Sequence, residues 1–165
     1  MKSQQVLPIW DIFKGTWKKH TPNPRFAIYQ SSPTPGQPSP SMVLDKETRL
    51  VWERAPDTTR MTWDAAIVYS YGKAVAGRKG WRLPSIEELL SLVDPTQSNP
   101  TLPAGHPFVN VQIDYYYWSS TLGMSSLPTY AWGYDFGNTN TSNVIKSTNA
   151  YAWLVRGGYG HDYPY

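Results

Sequence analysis

Three histidines, His20, His106 and His161, are the side chains of this sequence best suited to moving protons near neutral pH. The acids around them are scattered, and none stands at a spacing that pairs a base with a nucleophile. Ser119-Ser120 offers hydroxyls, but inside a stretch of strand composition where structure explains them better. His106, within Gly105-His106-Pro107-Phe108, reads as a loop residue anchoring its neighbours. Cysteine is absent, which removes disulfides, thiolate nucleophiles and cysteine metal sites together. Asp135 beside an asparagine-rich segment could approach a cation, yet one carboxylate makes a poor oxygen cage. The sequence therefore predicts no catalytic residue, no metal site and no cofactor.

The composition favours recognition over chemistry. Charged residues make up only 16% and hydrophobic ones 40%, and 15 prolines with 12 glycines imply a loop-rich globular chain. A formal charge of +3 is mild, and the basic residues (Lys14, Lys18, Lys19, Arg25; Arg78, Lys79, Arg82) form no continuous stripe, which argues against nucleic acid as a partner. No apolar run is long enough to span a membrane, and Met1-Lys2-Ser3-Gln4-Gln5 is not followed by a signal-peptide core. Eight tryptophans and 12 tyrosines exceed what a core normally needs. Most of the tryptophans are expected inside, while surplus tyrosine supplies stiff, amphipathic contact area for a binding surface.

The elements that must position such a surface are legible in part. Residues 1–23 form an arm with Trp10 and Trp17, read as an irregular or partly helical lead-in that could contact a second copy; residues 24–165 form the domain proper. Residues 25–29 read as a strand, 31–40 as a proline-rich loop, and 42–44 with 50–53 as a hairpin turning at Asp45-Lys46-Glu47-Thr48. Thr62 is a plausible N-cap for a helix to about Tyr71, burying Trp63, Ala66, Ile67 and Ser70. Ser85 and Glu88 form a capping box for a second helix, with Ile86, Leu89, Leu90 and Val93 as its apolar face. Residues 94–113 make a long connection, either functional or pinned by local packing. Strand composition returns at 115–121, 130–136, 143–147 and 151–156, with Trp132, Tyr134 and Phe136 sharing one face. The run Asn138-Thr139-Asn140-Thr141-Ser142-Asn143 is expected as a turn or exposed strand edge.

An ordered set of short motifs points to a family. Asp45-Lys46-Glu47-Thr48-Arg49-Leu50-Val51-Trp52, Thr62-Trp63-Asp64-Ala65-Ala66, Gly80-Trp81-Arg82-Leu83-Pro84, Tyr117-Trp118-Ser119-Ser120-Thr121 and Val155-Arg156-Gly157-Gly158 follow one another along the chain. This series resembles the Lcl C-terminal domain family, found at the ends of bacterial collagen-like adhesins and in other surface proteins. The resemblance covers roughly residues 24–160. It implies an α+β, C-type-lectin-like fold with two helices on a small, twisted, mainly antiparallel sheet and long loops. Members often carry cysteines near the end of the first helix and before the final Val-Arg-Gly-Gly. Here those places read Tyr69-Ser70-Tyr71 and Trp153-Leu154-Val155, and Arg49 stands where a turn glycine is common. Formylglycine-generating enzymes share the fold but need reactive cysteines, and the Glu-Pro-Asn, Gln-Pro-Asp and Trp-Asn-Asp motifs of calcium-dependent lectins do not appear.

The same scaffold occurs in the variable proteins of diversity-generating retroelements, which display diversified residues near the C-terminus. Residues 114–154 mix a family-like frame with insertions of that kind, a pattern as compatible with diversification as with ordinary loop drift. The candidate ligand-binding residues are Tyr115, Leu122, Met124, Leu127, Tyr130, Tyr134, Asn138, Asn140, Asn143 and Leu154. The expected function is a non-enzymatic ligand-binding or adhesion module, facing outward on a cell surface or virion and attaching to a protein or glycan ligand. A structural or assembly domain of a surface or virion protein is the alternative, with self-association through the N-terminal arm.

Overall fold

The computed structural model describes residues 15–18, 21–31, 41–124 and 129–157, with the backbone alone at 15–18, 30 and 31. Capping chemistry sets both helices. The Thr62 hydroxyl accepts the Ala65 N–H to open α1 (Trp63–Gly72), which buries Ala66 and Ser70 with Trp63 and Ile67 packed alongside, the face the sequence predicts. In α2 (Ile86–Ser91) the Ser85 hydroxyl accepts the Glu88 N–H at 3.2 Å, and the Glu88 carboxylate takes the Ser85 N–H at 2.8 Å. The Thr121 hydroxyl adds an acceptor for the Ile86 N–H at 2.9 Å, so a third donor of the first turn is satisfied from another part of the chain.

The buried face of α2 departs from the expected one. Ile86, Leu89 and Leu92 are buried, whereas Leu90 is exposed and Val93 only half-buried. The reason lies in the final turn, where Leu92 and Val93 donate to the carbonyls three residues back (3.1 and 3.0 Å). This tighter winding carries Leu92 to the core instead of Leu90 and Val93.

Strands β1 (Gly15–Lys18), β2 (Phe26–Ser31), β3 (Ser41–Asp45), β4 (Val51–Glu53) and β8 (Val155–Arg156) form a five-stranded sheet in the order β1-β2-β3-β4-β8, with every neighbouring pair antiparallel. A second antiparallel sheet holds β5 (Tyr117–Leu122), β6 (Tyr130–Asp135) and β7 (Asn140–Ile145), in that order. The fold is α+β, with two helices against two small sheets rather than one. Residues 15–18 of the expected lead-in are a strand paired to β2, with Trp17 opposite Tyr29; Trp10 lies outside the described residues.

Two further strand expectations shift. The asparagine-rich run is a turn at Asn138 and Thr139 and then an exposed outer strand, as expected, but β7 starts at Asn140 rather than 143. Of residues 151–156 only Val155–Arg156 join a sheet, although 150–155 are all buried and bridge to Met61, Tyr117 and Arg82. Residues 94–113 are pinned by packing: Thr101, Leu102 and Phe108 are buried, and the Thr101 N–H reaches the Phe136 carbonyl at 2.9 Å.

The core falls into two clusters. One gathers Phe26, Trp52, Leu89, Leu92, Tyr117, Tyr134, Phe136 and Trp153; the other gathers Tyr29, Ala66, Trp81, Leu83, Trp118, Ala131 and Leu154. Trp52, Trp81, Trp118 and Trp153 are fully buried, as the cysteine-free composition requires of a fold held by packing. Indole N–H groups also fasten loops: Trp81 donates to the Arg78 carbonyl, Trp118 to Met61 and Trp153 to Glu53, at 2.8, 2.8 and 2.9 Å.

Candidate functional site

The residues best suited to chemistry are absorbed by structure. The buried Ser119 hydroxyl donates to the Trp132 carbonyl at 2.7 Å, and Ser120 donates to the Pro84 carbonyl at 3.2 Å. His106 stacks on Phe108 at 5.9 Å between ring centroids, and burial holds its imidazole below the usual histidine range. His20 and His161 lie outside the described residues. Asp135 spends both oxygens on its own turn, accepting the Gly137 and Asn138 N–H groups and the Asn138 amide. Asn138 is thus a turn-former, although its side chain reaches solvent. Among the described residues no group of three or more His, Asp or Glu side chains is placed to hold a metal ion.

One buried ionic network stands apart. Glu53, only 1% exposed, accepts the Leu154 N–H at 3.0 Å and lies 3.1 Å from the Lys73 ammonium. Lys73 also donates to the Tyr69 hydroxyl, which donates to Asp57 at 3.1 Å. Burial pushes the Glu53 carboxyl above its ordinary range, with Lys73 and the Leu154 N–H opposing it. The Lys73 ammonium is held above its ordinary value, because bonds and attraction from Tyr69 and Glu53 outweigh its own desolvation. The network fastens the end of α1 to the segment before β8.

The expected ligand residues divide between the two faces of the β5-β6-β7 sheet. On one face, Tyr116 lies across Gly133, where a Cβ would stand 3.1 Å from the Tyr116 Cβ. Its hydroxyl accepts the Asn140 amide at 3.2 Å, and its ring meets Tyr115 edge-on at 5.3 Å. The Arg60 guanidinium sits 4.7 Å from the Tyr115 ring centroid and 4.9 Å from that of Tyr151. Asp114 pairs with Arg60 at 2.6 Å and accepts the Tyr151 hydroxyl at 3.0 Å. Asp114, Arg60 and Asn140 are exposed, Tyr115 and Tyr116 half-exposed, and Tyr151 buried. Tyrosine rings flanked by a fixed Arg–Asp pair combine apolar area, a planar donor and an acceptor.

Tyr130, Asn143 and Ile145 lie on the opposite face, whereas Leu122 pairs with Ala131 and so shares the face of Gly133. Leu122 and Met124 are 56% and 84% exposed, and Ile145 on β7 is exposed beside half-buried Tyr130, its partner in the ladder. The Met124 N–H donates to the Asn143 amide oxygen at 3.2 Å. Leu127 lies outside the described residues. Tyr134 and Leu154, expected at the surface, are instead 2% and 0% exposed. Tyr134 belongs to the first core cluster, edge-on to Phe136 at 4.8 Å, and Leu154 to the second. Both leave the candidate surface. Arg60, Asp114 and Tyr116 join it. The triple tyrosine at 115–117 was a usable signal for Tyr116, but nothing local in the sequence singles out Arg60.

Residues 41–156 match the Lcl C-terminal domain family. The chain belongs to that family. No curated protein matches it. In this Lcl C-terminal domain the shared motifs are framework. Arg82 of Gly80-Trp81-Arg82-Leu83-Pro84 makes two 2.7 Å hydrogen bonds to Glu88 and reaches the carbonyl of Gly157, in the closing Val-Arg-Gly-Gly, at 2.9 Å. Tyr117-Trp118-Ser119-Ser120-Thr121 holds the entries to both helices, through Met61 and Trp63 on one side and Pro84 and Ile86 on the other. Membership in this family supports a non-catalytic, adhesion-type module. No described helix is long and apolar enough to cross a membrane.

Proposed function

We propose that this domain is a binding module whose ligand surface is the constellation of Arg60, Asp114, Tyr115, Tyr116 and Asn140. The observation carrying this reading is the continuous set of contacts from Arg60 through Tyr115 and Tyr116 to Asn140. It holds two tyrosines at the surface at little entropic cost on binding. The ligand is a protein or glycan on a host or cell surface, and the domain faces outward from an envelope or particle on a C-type-lectin-like scaffold. Arrays of surface proteins and glycans test the reading. Binding is expected for the native chain and lost on combined Tyr115→Ala and Tyr116→Ala substitution; retention by that variant, or no binding by the native chain, sinks it. The finer reading, retroelement diversification, is checked in the DNA beside the gene. A reverse transcriptase and a near-copy of the codons for residues 114–156 differing at adenines would support it, and finding neither would remove it.

A second reading, an assembly domain, is favoured by the exposed Leu122 and Met124 at the end of β5 and Ile145 on β7, the two outer strands of this sheet. Exposed apolar side chains on outer strands are places where a second chain can pair. Mass in solution decides it: a monomer at high concentration, unchanged by Met124→Ser, removes the idea.

A further inference from the structure

We infer that Arg60 is the positioning residue of the ligand surface, coupling the half-exposed Tyr115 to the buried Tyr151. The inference rests on the binding reading above and gives a distinct role to a residue that precedes α1, far in sequence from the strands it serves. Tyr151 is anchored in the core, with its ring 5.5 Å from that of Tyr117. Tyr115 packs on both core clusters but remains half-exposed, and so has room to reorient. The Arg60 guanidinium contacts both rings, at 4.7 and 4.9 Å from their centroids. Asp114 holds the guanidinium in place at 2.6 Å and is itself fixed by the Tyr151 hydroxyl at 3.0 Å. Tyr116 then inherits the arrangement through its 5.3 Å edge contact with Tyr115.

This role depends on a planar cation. A guanidinium stacks on rings and keeps donors in a fixed fork, whereas an ammonium is a compact, strongly hydrated point charge. The Arg60–Asp114 pair is also largely solvent-exposed, with side-chain accessibilities of 36% and 61%. Exposed pairs contribute little to global stability, so the effect on surface order separates from an effect on folding.

The test is NMR relaxation on the ligand-free chain, comparing native protein with Arg60→Lys and, as a second disruption, Asp114→Asn. Order parameters at Tyr115 and Tyr116 are expected to fall from about 0.85 to below about 0.6 in Arg60→Lys, with an intermediate fall in Asp114→Asn. The melting temperature should move by no more than about 2 °C in either. Unchanged order at Tyr115 in Arg60→Lys overturns the inference, as does a loss of order spread evenly over the domain. Because no ligand is used, this outcome is independent of the arrays: a chain that binds nothing defeats the function proposed above while leaving the positioning role measurable.

Discussion

Arg82 and Glu88 face each other through two hydrogen bonds of 2.7 Å, and the same carboxylate closes the capping box by accepting the Ser85 N–H. One side chain therefore starts α2 and ties it, through Arg82 and the Gly157 carbonyl, to the end of β8. Glu88→Ala removes both functions and should destabilise the domain by about 2 kcal/mol, roughly 1 from the cap and the rest from the partly exposed charge-assisted pair. Glu88→Gln keeps an acceptor for the Ser85 N–H and should lose about half as much. Urea unfolding of the three proteins measures this; equal losses in the two variants would show that the cap contributes nothing.

The capping box was legible because both partners lie within four residues, and the same holds for the Thr62 cap of α1. What the sequence concealed depends on distant pairing. Tyr134 and Leu154 have the composition of display residues, yet β6 turns Tyr134 toward Phe136, and Leu154 is fixed by Glu53, 101 positions away. Among Tyr115, Tyr116 and Tyr117 only the last is buried, because regular strand geometry begins there. The split of the candidate surface over two faces follows from the odd offset between Asn140 and Asn143 on one strand, a consequence visible only once β7 was known to span both.

Glu53 should leave a signature in the pH dependence of stability. Its carboxyl is raised above the ordinary 4.5 by burial, so the native state takes up a proton more readily than the unfolded chain. The stability it contributes is fully present below 4.5 and is lost as pH rises through the raised native value. His106, whose native value is lowered by burial alone, contributes with the opposite sign but cancels in a comparison with Glu53→Gln. The native protein should therefore lose stability relative to the variant between pH 4 and neutrality, on the scale that linkage sets for such groups. Chemical denaturation across that range checks it, and a flat difference would mean that Lys73 fully offsets the burial.

Gly137 marks a close approach of two chain segments. A Cβ at this position would stand 2.0 Å from the Ile113 carbonyl oxygen, a backbone atom that cannot swing aside as a side chain would. Gly137→Ala should therefore force the 94–113 connection away from the turn after β6 and cost at least about 3 kcal/mol. The displacement would also disturb the Thr101–Phe136 hydrogen bond, so amide exchange at Thr101 should accelerate with the loss of stability. A variant as stable as the native chain would show that this junction is loose.

Arg49 provides the converse case, a residue whose replacement by glycine should help. It adopts φ 65°, in the left-handed region that favours glycine, at the turn between β3 and β4. Its N–H closes the turn on the Asp45 carbonyl at 2.8 Å, and Asp45 in turn accepts the Glu47 N–H and the Thr48 hydroxyl at 3.0 and 2.9 Å. The backbone geometry is therefore imposed by its neighbours and would persist without the arginine side chain. Removing the Cβ relieves roughly 1–2 kcal/mol of steric strain, against roughly 0.5–1 kcal/mol of added unfolded-state entropy. Arg49→Gly should thus raise stability by up to about 1.5 kcal/mol, read as a higher urea midpoint at unchanged slope. A lower midpoint would mean that the arginine side chain contributes more to the native state than its backbone strain costs.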